Sequence, residues 1–352
     1  MNKKFFFLAV GIVVVICGCV SPLPEGLNRE SLITLSLFGF VIVSLIGDVF
    51  PRFIATLVAM ILLYLLGVAD SLSAVWESFV GSVFFFLLAA FALSAVVKKS
   101  SIPLRLMGFF LKLCKGSSRM MILAFMVVTA IISAFMSDLA ACALATTIIL
   151  PVLDKVEMPR RFVRSLMIAV PIAALTGGFS TPIGSPSNIT IMALLEDFNM
   201  HISFGQWLSV GAPMSILVLF ISWGMLCVCY RPEMLDEDAM GSFKNQFGEL
   251  KPFTVQDIKS IVLILAMMIA WVSTTWIWML DSTSIAVIGL CIMFLPGVEL
   301  LTFDEFSKEV PWDMVFMLCG LMAMASFLNS TGALDWVVST IMADAKQWSP
   351  LI

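Results

Sequence analysis

The chain has 352 residues, of which 61% are hydrophobic and only 12% are charged. Soluble domains carry about 25% charged residues, so this composition excludes a soluble enzyme and predicts a polytopic membrane protein. The net charge of −4 and the lack of a basic patch argue against nucleic-acid binding. One histidine, and eight cysteines that mostly lie in apolar runs, do not support a metal centre, an organic cofactor or a disulfide framework.

Apolar runs that approach the length of a membrane span recur along the whole chain. The first, after Lys3 and Lys4, resembles a cleavable signal peptide, but we favour an uncleaved membrane helix. The predicted spans cover residues 5–20, 32–47, 53–69, 79–97, 162–199, 207–229, 258–280, 283–297 and 312–330. Residues 100–118 predict an amphipathic helix on the inner surface of the membrane.

Residues 119–153 consist of two shorter apolar stretches that meet at the polar apex Ser137-Asp138. Each stretch is marginal for a full crossing, so the segment predicts a re-entrant hairpin that returns to its own side of the membrane. With this hairpin and a cytoplasmic N-terminus, all 20 Lys and Arg residues except Arg29 and Lys346 lie on the cytoplasmic side. Membrane proteins show this bias. The chain is therefore predicted to be a multi-pass protein of the cytoplasmic (inner) membrane.

A break is predicted in the apolar run 162–199, where residues 177–188 contain three glycines and two prolines. Glycine and proline interrupt helical hydrogen bonding. At membrane depth, broken backbone is tolerated only where it is buried in protein or lines an aqueous cavity. Secondary transporters use such breaks to bind substrates, with free carbonyls for cations and helix N-termini for anions. We therefore predict a binding site here, and a simple kink is the alternative.

An internal repeat relates two stretches rich in small residues, residues 91–104 and 322–335, which are offset by 231 positions. The charge-derived topology places them in opposite orientations, which predicts an inverted repeat. The same offset places a partner of the hairpin tip near position 368, so the second repeat is expected to be incomplete and the chain to be C-terminally truncated.

These features divide the chain into four predicted parts. N-terminal scaffold helices occupy 1–78, and the first inverted repeat, with its hairpin and broken helix, occupies 79–229. A cytoplasmic linker is predicted over 230–257, and the start of the second repeat over 258–352.

Three motifs resemble the divalent anion/sodium symporter family, the dicarboxylate and sulfate carriers: residues 22–27, 177–188 and 311–332. The resemblance implies an all-α inverted-repeat transporter of the elevator type, working as a homodimer. It implies sodium-coupled transport of a small divalent organic or inorganic anion across the lipid bilayer. No enzyme activity is expected.

Hairpin tips in that family carry Ser-Asn-Thr and supply oxygens for sodium and hydrogen bonds for a substrate carboxylate. The resemblance implies that the sodium-binding residues are Ser133, Ser137, Asp138 and the carbonyl of Gly184. It implies that the substrate-binding residues are Ser137, Asp138, Ser185, Pro186 and Asn188.

The chain departs from the family pattern at the tip, where it has Ser137-Asp138-Leu139. An asparagine can donate a hydrogen bond to a carboxylate, whereas an ionised aspartate cannot. Ionisable groups at membrane depth are costly and usually functional. We therefore hypothesise that Asp138 binds sodium or carries the coupling proton, with an altered substrate preference. The alternatives are a cation or proton antiporter that uses Asp138, and a non-transporting remnant.

Overall fold

The computed structural model describes residues 3–114, 117–154, 157–197, 200–236, 241–243, 252–275 and 281–345. In these ranges the chain forms helices and no strands. The α-helices are α1 (Lys3–Val20), α2 (Arg29–Ile46), α3 (Arg52–Leu65), α4 (Leu72–Phe79), α5 (Ser82–Lys99), α6 (Ile102–Leu113), α7 (Ser118–Ser133), α8 (Asp138–Leu153), α9 (Arg160–Gly178), α10 (Pro186–Asp197), α11 (Phe204–Tyr230), α12 (Val255–Ser273), α13 (Ser282–Phe294), α14 (Phe303–Glu309), α15 (Trp312–Ser330) and α16 (Ala333–Ala345).

Within the described ranges, seven helical segments are long and apolar enough to cross a membrane, which agrees with a polytopic membrane protein. They are α1, α2, α4 with α5, α9, α11, α12 and α15. The spans expected at 53–69 and 283–297 form shorter helices, α3 with 14 residues and α13 with 13. Each ends just before a turn containing a glycine with positive φ, Gly67 and Gly297. The last residues of the expected span 258–280 lie outside the described ranges.

One compact unit comprises residues 1–84 and 311–352. Its core is a cluster of buried apolar side chains from α2, α3 and α15: Ile33, Leu37, Phe40, Val41, Ala59, Leu63 and Met324. Small residues let these helices approach, since a Cβ on Gly320 would overlap Thr56 of α3. Phe79 of α4 stacks on Phe316 of α15, with ring centroids 6.1 Å apart. Residues far apart in sequence thus build one core.

The second compact unit comprises residues 85–310 and contains the predicted hairpin and the predicted break. Helix α7 packs closely on α9, because Gly177 lies against the backbone of Ala130. Trp271 of α12 is buried and stacks on Phe204 of α11, with ring centroids 5.1 Å apart. Its Nε1–H donates to the carbonyl of Ser282 at 3.0 Å. These contacts hold α11, α12 and α13 together.

Part of the predicted linker 230–257 packs against the helices instead of being fully solvated. Residues 241–243 are helical, and the Phe243 side chain is buried. Its ring packs against Phe125 of α7 and Phe162 of α9, at centroid distances of 5.7 and 6.4 Å. A buried aromatic side chain therefore packs this connection against the helices that carry the candidate site.

Candidate functional site

The segment 119–153, predicted as a hairpin, contains two helices in contact, α7 and α8, joined by residues 134–137. Ser137 is the N-cap of α8, and its Oγ accepts a hydrogen bond from the Ala140 N–H at 3.3 Å. Asp138 is the first residue of α8, and its Oδ1 accepts from the Leu139 N–H at 2.9 Å. The two helices and the polar tip are confirmed. The return of both ends to one side of the membrane stays a prediction.

The break predicted at 177–188 is also confirmed. Helix α9 ends at Gly178, a single 3-10 turn spans Pro182–Gly184, and α10 begins at Pro186. The turn is capped by Thr181, whose Oγ1 accepts from the Gly184 N–H at 3.1 Å. Pro186 suits the first position of a helix, since the N–H that proline lacks has no helical partner there.

Two glycines allow the hairpin tip and the break to meet. A Cβ on Gly178 would lie 2.9 Å from the Gly184 carbonyl oxygen, 3.2 Å from Asp138 Cβ and 3.3 Å from Ser133 Oγ. A Cβ on Gly184 would lie 2.8 Å from the Ser133 carbonyl oxygen and would overlap Gly178. Only residues without a side chain allow this approach. The result is a small neighbourhood of carbonyl and hydroxyl oxygens with the Cβ of Asp138 beside it.

Hydroxyl groups bond the hairpin to the broken helix. Ser133 Oγ, fully buried, donates to the Ala174 carbonyl at 2.6 Å. Thr181 Oγ1 donates to the Ala134 carbonyl at 2.6 Å. Both bonds join residues more than 40 positions apart, and buried bonds of this kind are costly to lose. They fix the tip relative to the break.

Asn188 stabilises the break from within. Its side chain is buried, and Nδ2 donates to the carbonyls of Gly178 and Thr181, each at 2.8 Å. These two carbonyls lie where the helix is interrupted, so the amide replaces helical donors that the break removes. Both amide hydrogens are used in these bonds, which leaves the amide oxygen for other contacts.

Helix α11 supports the same segment. Trp207 Nε1–H donates to the Phe179 carbonyl at 3.2 Å, and Ser215 Oγ donates to the Thr176 carbonyl at 2.6 Å. Gly211 lies between them on the helix and against the Ser180 backbone, where a Cβ would come within 2.9 Å of the carbonyl oxygen. Donors from a neighbouring helix thus satisfy carbonyls at the end of α9.

The structure brings together Ser133, Asp138 and Gly184, three of the residues predicted to bind sodium. Ser137 is adjacent in sequence at the tip. Ser185 and Pro186 begin α10, where Ser185 Oγ lies 2.9 Å from Ser187 Oγ. Sequence reasoning missed the central position of Gly178. Its signal was the Gly177-Gly178 pair at the end of an apolar run.

The arrangement offers two kinds of chemistry. Hard oxygens from Ser133, Gly184 and Asp138 suit an alkali cation. The N-termini of α8 and α10 both begin next to this neighbourhood, and free N–H groups with the positive end of the helix dipole favour an anion. A residue pattern of this kind occurs in carriers of small ions. It does not provide the paired acid and base that general acid–base catalysis would use.

A family model described as citrate transporter matches residues 40–352. The chain belongs to the citrate transporter family. This is a family of membrane anion transporters. The expected relationship to carriers of small anions is thereby confirmed.

Relatives of this citrate transporter family member are named for different substrates. The inorganic phosphate transporter PHO87 of Saccharomyces cerevisiae is 27% identical over 271 residues, covering 75% of this chain and 27% of PHO87. The sodium-dependent dicarboxylate transporter SdcS of Staphylococcus aureus is 24% identical over 341 residues, covering 89% of this chain and 65% of SdcS. The chain therefore spans less than two thirds of the length of these relatives.

Proposed function

We propose that this protein is a sodium-coupled secondary carrier of a small divalent anion. The observation that carries the proposal is the meeting of Ser133, Asp138 and Gly184 around Gly178. This neighbourhood joins hard oxygens to the N-terminus of a helix, so a cation and an anion can bind side by side. A bound cation offsets the charge repulsion that an anion would meet from Asp138.

The sodium ligands that we propose are Ser133, Ser137, Asp138 and the Gly184 carbonyl. The donor set suits sodium because it consists of oxygens and its one full charge comes from Asp138. Proton coupling through Asp138 is the alternative, and uptake under sodium and proton gradients distinguishes the two.

The substrate-binding residues that we propose, some of which act indirectly, lie at the starts of α8 and α10: Ser137, Asp138, Ser185, Pro186 and Asn188. Ser185 and Ser187 place hydroxyl groups at the start of α10, where backbone N–H groups are also free of helical partners. Asp138 contributes through the cation and not as a hydrogen-bond donor. Asn188 contributes by holding the backbone of the break in place.

An inverted-repeat architecture is part of the proposal, and the helix boundaries support it. Helices α2 to α6 and α12 to α16 follow in the same order, and the later starts lie about 230 residues after the earlier ones. Long-range hydrogen bonds are related as well. Ser31, at the third position of α2, donates to the Thr331 carbonyl, and Asp257, at the third position of α12, accepts from the Ser101 N–H at 2.7 Å. Elevator motion and a homodimer remain proposals from the family resemblance.

Substrate identity is proposed at the level of chemical class, a small anion with two or more negative charges. Dicarboxylates are candidate substrates because SdcS is named for them, and inorganic phosphate is a candidate because PHO87 is named for it. Asp138 and Leu139 stand where the family has asparagine and threonine, so two side-chain hydrogen-bond donors are missing. This favours a substrate that needs fewer directed hydrogen bonds. Phosphate is therefore tested beside succinate, citrate and sulfate.

Binding and uptake with the purified protein test the proposal. Radiolabelled sodium binding is measured in detergent, and uptake of each labelled anion is measured in proteoliposomes with an inward sodium gradient or an inward proton gradient. We expect saturable sodium binding, and uptake of one anion that requires the sodium gradient. Uptake driven by protons alone would replace sodium coupling with proton coupling. Absence of both binding and uptake would favour the non-transporting remnant.

Asp138→Asn tests the residue that we place at the centre. We expect sodium binding to weaken by at least tenfold, because the charged ligand is lost while the shape is kept. Asp154→Asn, at the other end of α8, is the matched control and should bind sodium as the parent protein does. Equal sodium affinity in the two variants would contradict the assignment of Asp138.

A further inference from the structure

An apolar groove of about 670 Å³ lies behind the candidate site, and Ser133, Asp138 and Gly184 are not among its lining residues. Residues from one face of α7 form its floor, and α11 forms one side. The floor includes Leu123, Val127 and Ile131, and the side includes Leu208, Ile216 and Phe220. Several lining residues are well exposed, among them Leu113 at 57% and Ile216 at 57%. The groove is open and lies on helices of a membrane protein.

The few polar groups that line the groove are turned to the protein's own backbone. Ser215 Oγ donates to Thr176, Thr181 Oγ1 donates to Ala134, and Ser180 Oγ donates to Gly177. The Cys114 thiol lies 3.3 Å from the carbonyls of Phe110 and Met120. Hydroxyl groups with internal partners offer little to water, and a groove without polar partners suits an apolar occupant.

The length of the groove fits an acyl chain. Its floor runs along α7 from Met120 to Ala134, which is about 21 Å at 1.5 Å per residue. One leaflet of a bilayer has a hydrocarbon depth of about 15 Å, half of about 30 Å. A chain that enters at the Met120 end and runs as deep as one leaflet can therefore cover most of the floor, in the direction of Ala134.

Two basic residues lie next in sequence to residues that line one end of the groove. Leu113 and Met120 line this end, and their sequence neighbours Lys112 and Arg119 are exposed. The Cys114–Met120 contact brings the end of α6 to the start of α7, so both cations lie at the same end. Trp223 joins them, since its Nε1–H donates to the Arg119 carbonyl at 2.9 Å. Basic residues with a tryptophan are typical of a headgroup region.

The other end of the groove contacts the back of the candidate site. Ala134 follows the last residue of α7, and Thr181 begins the turn that carries Gly184. Both residues line the groove, and they are joined by the hydrogen bond between Thr181 Oγ1 and the Ala134 carbonyl. An occupant at this end packs against the bond that fixes the hairpin to the break and excludes water from it.

We propose that the groove binds one acyl chain of an anionic phospholipid, with the headgroup at Lys112 and Arg119. The bound chain covers the link between Ala134 and Thr181 and so stabilises the hairpin in contact with the broken helix. Anionic lipids are enriched in the cytoplasmic leaflet, and the charge-derived topology places both cations on that side.

Lipid binding is tested directly, without reference to transport. The purified protein is reconstituted in nanodiscs of phosphatidylcholine that contain a small fraction of photoactivatable phosphatidylglycerol, and the labelled residues are mapped. We expect labelling on α7 and α11 within the groove, and competition by unlabelled phosphatidylglycerol about fivefold or more stronger than by phosphatidylcholine. Labelling spread evenly over lipid-facing helices, or equal competition by the two lipids, would overturn the proposal.

Two variants with matched controls separate the acyl site from the headgroup site. Val127→Trp fills the groove and should reduce labelling at least fivefold, whereas Ile221→Trp, on α11 but not in the groove lining, should not. Lys112→Gln with Arg119→Gln leaves the groove intact and should lower the preference for phosphatidylglycerol about fivefold for each charge removed. The control for charge is Arg160→Gln with Arg164→Gln, two exposed positions on α9.

The charge variants also guard against misfolding, because they change exposed side chains only. The Val127→Trp variant counts as a test only if its elution volume in gel filtration and its melting temperature match those of the parent protein. Unchanged labelling in a folded Val127→Trp variant would exclude the groove as the acyl site. An unchanged preference for phosphatidylglycerol in the double charge variant would exclude the proposed headgroup position. Neither result depends on whether the protein transports an anion.

Discussion

Gly184→Ala is the substitution whose effect the structure defines most sharply. The φ angle of Gly184 is not in the left-handed region, so alanine meets no backbone strain there. The effect is steric. The added Cβ would lie 2.8 Å from the Ser133 carbonyl oxygen and would overlap Gly178, and both neighbours are backbone that cannot rotate away. The hairpin tip and the break must therefore separate.

The size of the effect follows from the overlap. Ordinary carbon–oxygen contact is at least about 0.5 Å longer than the contact that alanine would impose, and overpacking of this kind costs about 1–3 kcal/mol. Loss of glycine flexibility in the unfolded state returns about 0.4–1 kcal/mol. We expect a net loss of about 1–2 kcal/mol, and a fivefold to thirtyfold weaker affinity for any cation held by the Ser133 and Gly184 oxygens.

Melting temperature against sodium concentration measures both effects, since a ligand of the folded state raises stability as its concentration exceeds Kd. Gly224→Ala is the matched control: Gly224 lies within α11 with open space at its Cβ position, so alanine should leave stability unchanged or raised by up to about 1 kcal/mol. If Gly184→Ala melted like the control and showed the same sodium response as the parent protein, the proposed contact between tip and break would be wrong.

Two further predictions concern hydrogen bonds. Asn188→Ala removes the donor to the Gly178 carbonyl and leaves the Thr181 carbonyl with only the Gly184 N–H, so it should destabilise the protein by about 1–3 kcal/mol in a detergent melt. Asn188→Asp keeps the shape but loses the donors, so stability close to that of the parent would refute the role of the amide. A hydrogen bond from Lys99 holds the pKa of Glu305 below its usual value, so this pair stabilises the fold above about pH 4.5 and the contribution is lost as the pH falls. The pair is partly exposed, so Glu305→Gln should cost only about 0.5 kcal/mol at pH 7, and this cost should shrink as the pH falls.

The helical elements were predictable because their signals are local. Apolar runs of span length, a polar apex at Ser137-Asp138 and a cluster of glycine and proline at 177–188 each fix the backbone without reference to distant residues. The structure places the hairpin arms and both sides of the break within a few residues of the predicted limits. The two spans that were overestimated, α3 and α13, end at turns whose glycines lie inside the apolar run.

The contacts within the candidate site were less predictable because they depend on packing between distant segments. Nothing local shows that Ser133 bonds to Ala174, or that Gly178 is the residue around which the site closes. The same holds for Asn188, where the family resemblance predicted contact with substrate and the amide hydrogens bond to two carbonyls. Phe243 was missed because aromatic residues scattered through a polar stretch give no periodic signal.

The core shared by α2, α3 and α15 has a consequence for biosynthesis. The bond from Ser31 to Thr331 joins residues 300 positions apart, and the unit that contains it is completed only by residues after 310. At about 5–20 residues per second, roughly 10 to 45 s pass between synthesis of residues 84 and 311. During that interval the apolar faces of α2 and α3 lack the helix that covers them in the finished protein. Helices α2 and α3 are thus inserted into the bilayer well before α15, the helix that completes their core, is synthesised. Nascent chains stalled before residue 311 should therefore be the ones most exposed to membrane quality control.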